Sequence, residues 1–317
     1  MKVSIVIPML NEEEVVETLL RRIIEMRESA AERYEIVIVD DGSTDRTLEK
    51  ARALLGAKPD WQIIQLSRNF GQQAAYLAGI EEATGDAVVL LDADLQDPPE
   101  LIPKLVEKWR AGAKVVAAVR RSRTESGVRG MSFHLFHSLF FRCTGGVMPK
   151  NSGSFGIMDR AVVERIKAMP ERNLFLPALR SWVGFEQDTL IYDREARFGG
   201  PAKQNYKRLM RLAWDGITSF SSVPLKLVGW LGLAIASTGF LYALWLIALK
   251  FLQMGGYFHE LEVLGFTTLA VAVLTLGGIQ LICLGVLGEY ISRIYIEVKG
   301  RPRYVIARRE SAEGAAF

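Results

Sequence analysis

Asp92 and Asp94 stand two residues apart, directly after the apolar run 87–91. A carboxylate pair where a strand gives way to a loop suits a hard divalent cation, Mg2+ or Mn2+, with positions left open for phosphate oxygens. Such an ion would neutralise charge gathering on a diphosphate leaving group. The structural alternative is an Asx-turn and helix cap ahead of Pro98. Asp40 and Asp41 close an earlier apolar run, and Glu12 follows the first one. These carboxylates could accept hydrogen bonds from a nucleotide base or ribose. They could equally serve a turn, an N-cap or the positive end of a helix. The chain has neither a Walker A sequence nor a G-x-G-x-x-G, so the P-loop and dinucleotide fingerprints do not compete.

The elements that must position these groups alternate. Residues 3–7 form a short β-branched run of the kind buried parallel strands show. Val15, Val16, Leu19, Leu20, Ile23 and Ile24 then recur at helical spacing. Strands are predicted at 34–39, 61–66, 86–91 and 115–119, with helices around 46–55, 71–83 and from Pro98 to about Gly112. Alternation of this kind implies an α/β fold with a mainly parallel sheet and helices on both faces. Ligands then bind beyond the carboxyl ends of the strands, where the acidic residues fall.

The rest of the 317-residue chain has another character. Half the residues are hydrophobic, yet 24% are charged, which excludes disordered and collagen-like classes. Two cysteines and three histidines exclude a disulfide framework and a Cys- or His-rich metal site. A net charge of +3 gives no case for nucleic acid. Residues 227–249 and 263–288 lack Asp, Glu, Lys and Arg altogether. Each run is long enough to cross a hydrocarbon core of about 30 Å. The N-terminus does not read as a signal peptide. Residues 1–202 are therefore expected to be a head, 223–290 a membrane hairpin and 291–317 a basic tail. Lys203, Lys207, Arg208, Arg211 and Lys226 precede the first span, and Arg293, Lys299, Arg301, Arg303, Arg308 and Arg309 follow the second. By the positive-inside rule the head and tail are expected on the cytoplasmic side of a plasma membrane.

Two stretches suggest contact with the membrane surface. Tyr206, Leu209, Met210, Ala213, Trp214, Ile217 and Phe220 lie at i, i+3, i+4 spacing among basic residues, so 203–222 is expected to be an interfacial helix. Residues 131–148 are a second candidate, with a core helix as the alternative. Gly232, Ala236, Gly277, Gly278, Gly285 and Gly288 allow close helix packing, within the hairpin or between copies of a homo-oligomer. Residues 304–306 could form an extra edge strand, on this chain or a neighbouring protomer. Cys143 and Cys283 sit in apolar settings and are expected to be inert.

Four segments, 5–13, 39–45, 67–72 and 91–100, together resemble family 2 glycosyltransferases. The match is to the branch that transfers sugars to polyprenyl phosphates. The sequences 287–295 and 301–304 look like its two-span bacterial members. The resemblance implies a GT-A Rossmann-like head, a nucleotide-sugar donor, a metal at Asp92 and Asp94, and inversion at the anomeric carbon. It implies that Pro8, Leu10, Glu12, Asp41, Asn69, Gly71 and Asp92 surround the nucleotide. The donor expected is a UDP-hexose such as UDP-glucose, ahead of GDP-mannose. Arg120, Arg121, Arg123, Arg129 and Lys203 are expected to hold the acceptor phosphate, with Asp92, Asp94, Arg120 and Lys203 carrying the catalysis.

Two departures accompany that resemblance. Many relatives read N-x-G-D-F-R where this chain has Asn151, Ser152, Gly153, Ser154, Phe155 and Gly156. Many read G-x-S/T-K where it has Gly200, Pro201, Ala202 and Lys203. A phosphate acceptor tolerates loss of the carboxylate at 154. Its second pKa is near 6, so the attacking oxygen arrives largely ionised and a general base has little to remove. Ser154→Ala is therefore expected to lower activity by less than about tenfold, against a general base's usual 10²–10⁴. A processive polysaccharide synthase is disfavoured by the absence of Q-x-x-R-W and by too few spans. A catalytically inactive nucleotide-binding scaffold is the rival from another class.

Overall fold

The computed structural model describes residues 1–56, 58–121, 152–169, 175–193, 223–254 and 265–312. The expected helices at 203–222 and 131–148, together with Arg123, Arg129 and Lys203, lie outside the described residues. The chain divides into two units, one of residues 1–216 with 301–317 and the other of residues 217–300.

The first unit is built on one eight-stranded sheet. In chain order its elements are β1 (Lys2–Met9), α1 (Val16–Ser29), β2 (Arg33–Asp40), α2 (Thr47–Leu55), β3 (Trp61–Leu66), α3 (Gln72–Glu82), β4 (Ala87–Leu90), α4 (Ile102–Arg110), β5 (Val115–Arg120), β6 (Ser152–Asp159), α5 (Arg160–Lys167), α6 (Leu176–Trp182) and β7 (Gln187–Tyr192). β8 (Ile306–Ser311) joins after the second unit. The order across the sheet is β7-β5-β6-β4-β1-β2-β3-β8. β6 and β8 run antiparallel to their neighbours, and the other pairings are parallel. The expected mainly parallel α/β sheet is present, with two reversed strands added.

Alternation along each strand fills both faces. Val3, Ile5 and Ile7 point into one apolar cluster with Leu19, Leu20 and Ile23 of α1 and Leu105 and Val106 of α4. Val6, Val37 and Val39 point into a second with Ala75, Tyr76 and Ile80 of α3 and Val162, Val163 and Ile166 of α5. Strands covered on both sides must be apolar throughout, which is why β1 reads as an uninterrupted run. One buried carboxylate interrupts β2. Glu35 accepts from Ser4 Oγ at 2.5 Å and from the Thr84 amide at 3.0 Å, with Lys2 Nζ 3.1 Å away. Those partners satisfy a charge that would otherwise be costly in the core.

The order places the switch point between β1 and β4. From β1 the chain winds outward to β2 and β3, and β4 returns on the other side. Met9 pairs with Asp40 and Val6 with Leu90, so the carboxyl ends of these strands open on one edge. A crevice for a ligand belongs there.

The second unit holds α7 (Val223–Met254) and α8 (Gly265–Val298). Both are long and apolar enough to cross a membrane, with candidate spans at Leu225–Ala248 and Val271–Val298. Helix α8 starts later than the charge-free run and continues through Glu289 and Arg293, which pair at 2.7 Å one turn apart. That pairing lets two charges sit on a continuous helix. A Cβ on Gly232, Gly277, Gly278, Gly285 or Gly288 would meet no atom of the described residues within 4 Å. The hairpin itself therefore does not use these glycines for close packing.

Candidate active site

The amide of Leu91 donates to the Val6 carbonyl at 3.0 Å, so Asp92 leaves the sheet on a fixed stem beside β1. Helix α3 then holds its carboxylate. Gln72 and Tyr76 are four residues apart and share one helix face. Gln72 Nε2 and Tyr76 OH both donate to Asp92 Oδ1, at 2.7 and 2.5 Å. Two residues on, Asp94 Oδ1 accepts the Gln96 amide at 3.2 Å. The expected alternative of an Asx-turn is thus realised at Asp94, while Asp92 is gripped by side chains. Leu95 follows at φ 58° with its side chain buried. A leucine in the left-handed region is strained by roughly 1–3 kcal/mol, the kind of conformation that functional loops retain.

That turn drives Asp97 inward, where it is fully buried. Tyr192 OH, from the end of β7, donates to its Oδ1. Arg120 Nη2, from the end of β5, lies 3.5 Å from its Oδ2, and Arg120 Nε donates to Tyr192 OH at 3.2 Å. The ring of Phe155 on β6 packs edge-on against Tyr192, 5.9 Å between centroids. Strands β5, β6 and β7 thereby lock the base of the loop.

Three carboxylates fall within six residues, and one arginine faces them. Burial pushes Asp92 up to about 6; the Tyr76 hydrogen bond opposes this, and Asp97 and Asp94 add to it. An excess of negative charge of this kind is what a bound cation relieves. Asp92 and Asp94 offer hard oxygen donors, and no third His, Cys, Asp or Glu joins a metal-holding group among the described residues. The pair fits Mg2+ or Mn2+ with its remaining positions filled by water and phosphate oxygens.

The loops after β1 and β2, where the nucleotide is expected, interlock. Asn11, at φ 53°, accepts the Thr44 amide at 2.9 Å, and its own amide donates to Ser43 Oγ at 3.0 Å. The Glu12 amide donates to Thr47 Oγ1 at 2.9 Å. Asp41 is buried, and its two oxygens accept the amides of Phe70 and Gly71 at 2.7 and 2.9 Å. Its role here is to hold the loop that carries Asn69 and Gly71. Gly42 sits beneath that loop at φ +83°, where a Cβ would come within 2.9 Å of Arg68 backbone. No larger residue fits that crossing.

The fold brings Asp92, Asp94 and Arg120 into one cluster and sets Pro8, Leu10, Glu12, Asn69 and Gly71 around the ends of β1 and β3. Arg121 instead pairs with Asp193 at the surface, 3.2 Å apart. Sequence reasoning missed Gln72, Tyr76, Asp97 and Tyr192. The i, i+4 spacing of Gln72 and Tyr76 was a usable signal, since both face the same way from a helix that starts beside the metal loop. The β4–β6 register pairs Leu90 with Gly156.

Residues 4–167 match the model of glycosyl transferase family 2, and residues 223–294 match that of the GtrB C-terminal hairpin. The chain is 44% identical over 309 residues to the SfII prophage-derived bactoprenol glucosyl transferase of Shigella flexneri, covering 97% of this chain and 98% of that one. It is 37% identical over 318 residues to the undecaprenyl-phosphate 4-deoxy-4-formamido-L-arabinose transferase of Yersinia pestis, covering 98% and 94%. Among solved structures, mannosyl-3-phosphoglycerate synthase from Rubrobacter xylanophilus overlays with a TM-score of 0.49 at 20% identity, covering 84% and 78%.

Proposed function

This chain belongs to glycosyl transferase family 2 and is a glycosyltransferase with a GT-A head, and from that premise we propose that it moves one sugar from a nucleotide sugar to a polyprenyl phosphate, with inversion. The donor is a UDP-hexose, UDP-glucose first, and the head lies on the cytoplasmic face of the plasma membrane. The observation that carries this reading is a conjunction in one chain. A buttressed Asp92–Asp94 pair stands at the head's switch point, and two long apolar helices match a hairpin known from lipid-acting relatives. The open glycine faces of α7 and α8 leave room for a second copy, in keeping with a homo-oligomer.

In this reading Asp92 and Asp94 hold a divalent cation, which supplies charge neutralisation on the departing nucleoside diphosphate. Gln72 and Tyr76 fix Asp92 so that nothing need reorganise when the donor arrives. An oxygen of the lipid phosphate forms the new bond to the anomeric carbon as the bond to the diphosphate breaks. That oxygen is already ionised near neutrality, so no base is required at Ser154. Arg120 lies on the acceptor side, held by Asp97 and Tyr192 with part of its guanidinium still exposed.

The test uses full-length protein in nanodiscs, a panel of labelled UDP- and GDP-sugars, and a polyprenyl phosphate. A labelled lipid should form with Mg2+ or Mn2+, and EDTA or Asp94→Ala should lower its rate about 10²-fold or more, as expected for losing a principal electrostatic stabiliser. Full activity of Asp94→Ala in EDTA would sink the metal assignment. Nucleotide-sugar binding with no lipid product from any donor would favour the scaffold instead.

A further inference from the structure

Arg180 on α6 is 2% exposed, yet its only partners among the described residues are two backbone carbonyls. Nη1 donates to Ser154 O at 3.3 Å and Nη2 to Gly153 O at 3.2 Å, while Nε is buried without a partner. Among the described residues no carboxylate pairs with it. Burial pulls its pKa down to about 10. The guanidinium occupies a gap that glycine leaves. A Cβ at Gly156 would lie 2.7 Å from Nη1 and 2.5 Å from Val116 O, so any side chain there would displace it.

The place it braces is next to the site. Gly156, beside which the guanidinium lies, pairs with Leu90 two residues before Asp92, and Tyr76 of α3 holds the Asp92 carboxylate. On the other side of Gly153 stands Arg120, whose Nη2 is 3.1 Å from the position of a Gly153 Cβ. Arg120 has Asp97 to balance it; among the described residues Arg180 has no counterion. A buried cation without one costs several kcal/mol that two neutral carbonyls do not return. An apolar residue at 180 would make the more stable protein. A side chain that breaks the rules of a stable core marks a place where geometry serves function.

We propose that Arg180 is a positioning residue for sugar transfer: from α6 it enters the gap at Gly156 and fixes the Gly153–Ser154 backbone of β6, the strand beside the one that leads into Asp92. This rests on the transfer reading above. The residue touches no substrate. Its effect is on how the reacting groups meet, so it should appear in kcat more than in donor binding. Misplacement of a reacting group by about 1 Å is enough to lower rates 10²-fold.

The experiment compares full-length parent, Arg180→Leu and Arg180→Lys in nanodiscs, by thermal unfolding and by kcat and KM for nucleotide sugar. Arg180→Leu should unfold at the parent's temperature or higher, while kcat falls tenfold or more and donor KM changes less than threefold. Arg180→Lys should recover part of kcat, since one ammonium can hold one of the two carbonyls. A structural role would lower stability and activity together. The proposal is overturned if Arg180→Leu keeps kcat within twofold, if it unfolds more readily than the parent, or if Arg180→Lys restores nothing. A parent that transfers no sugar to polyprenyl phosphate refutes the transfer reading instead, and the unfolding comparison still stands alone.

Discussion

The arginine expected from sequence to hold the acceptor phosphate has a structural duty. Arg120 is the counterion of Asp97, a carboxylate with no exposure to solvent. Removing one partner of a buried pair strands the other, at about 3–5 kcal/mol. Arg120 keeps some exposure and Tyr192 still donates to Asp97, so about 3 kcal/mol is expected, roughly 6–12 °C in thermal midpoint. Loss of activity in Arg120→Ala alone would thus say little about the acceptor. Arg120→Ala combined with Asp97→Asn should recover most of the midpoint, because the stranded charge is gone. If Arg120 also holds the lipid phosphate, the double variant stays roughly tenfold or more below the parent in kcat/KM for that lipid, from the loss of a charge-assisted bond. Thermal unfolding and acceptor kinetics on the same preparations decide it. A double variant as unstable as Arg120→Ala would show that the pair is not what holds the loop.

Among the elements, the legible ones were those whose sequence is dictated by burial on both faces. β1, β2, β4 and β5 each have a run of buried apolar residues at their centre, and α1, α2 and α4 carry an apolar stripe. The carboxylates that end β2 and β4 follow from that reading. β6 escaped it because Ser152, Gly153, Ser154 and Gly156 dilute the apolar pattern, and β7 because Gln187, Asp188 and Thr189 make its first half polar. Arg180 had no local signal at all, since its partners are 26 and 27 residues away. The extra strand expected at 304–306 forms further on, at Ile306–Ser311, because an edge strand tolerates the charges of Arg308, Arg309 and Glu310. It pairs within this chain's own sheet. Arg52 grips Glu310 through two bonds of 2.8 Å, and Arg309 reaches Glu82 at 2.8 Å. Ending the chain after Gly300 would bare β3, a mostly apolar strand, as an open edge. The truncated protein should aggregate on size-exclusion chromatography and unfold at lower temperature than the parent. A monodisperse truncation with an unchanged midpoint would show that β8 is an ornament of the sheet.

At the scale of the whole molecule, β8 constrains the path of the chain through the membrane. It hydrogen-bonds to β3, so residues before α7 and after α8 belong to one folded sheet. A chain cannot return to its own sheet after an odd number of crossings. The choice is two crossings or none. Helices α7 and α8 are roughly 48 and 51 Å long at 1.5 Å per residue, against a hydrocarbon core of about 30 Å. Their apolar side chains are uncovered, Trp230 at 68% and Leu281 at 71% exposed. Leaving two such helices in water would forfeit the burial that apolar surface demands, and the proposed hairpin of two crossings is the arrangement that their length supports. The proposed cytoplasmic head rests on the basic residues flanking both spans, which by the positive-inside rule would keep the head and β8 inside. In a background with Cys143 and Cys283 replaced by serine, Gly256→Cys should react with an impermeant thiol reagent in intact cells. Glu107→Cys, on the exposed side of α4, should react only after permeabilisation. The reverse pattern would turn the protein over, while labelling of both positions from one side would remove the crossings and leave the hairpin lying on the membrane.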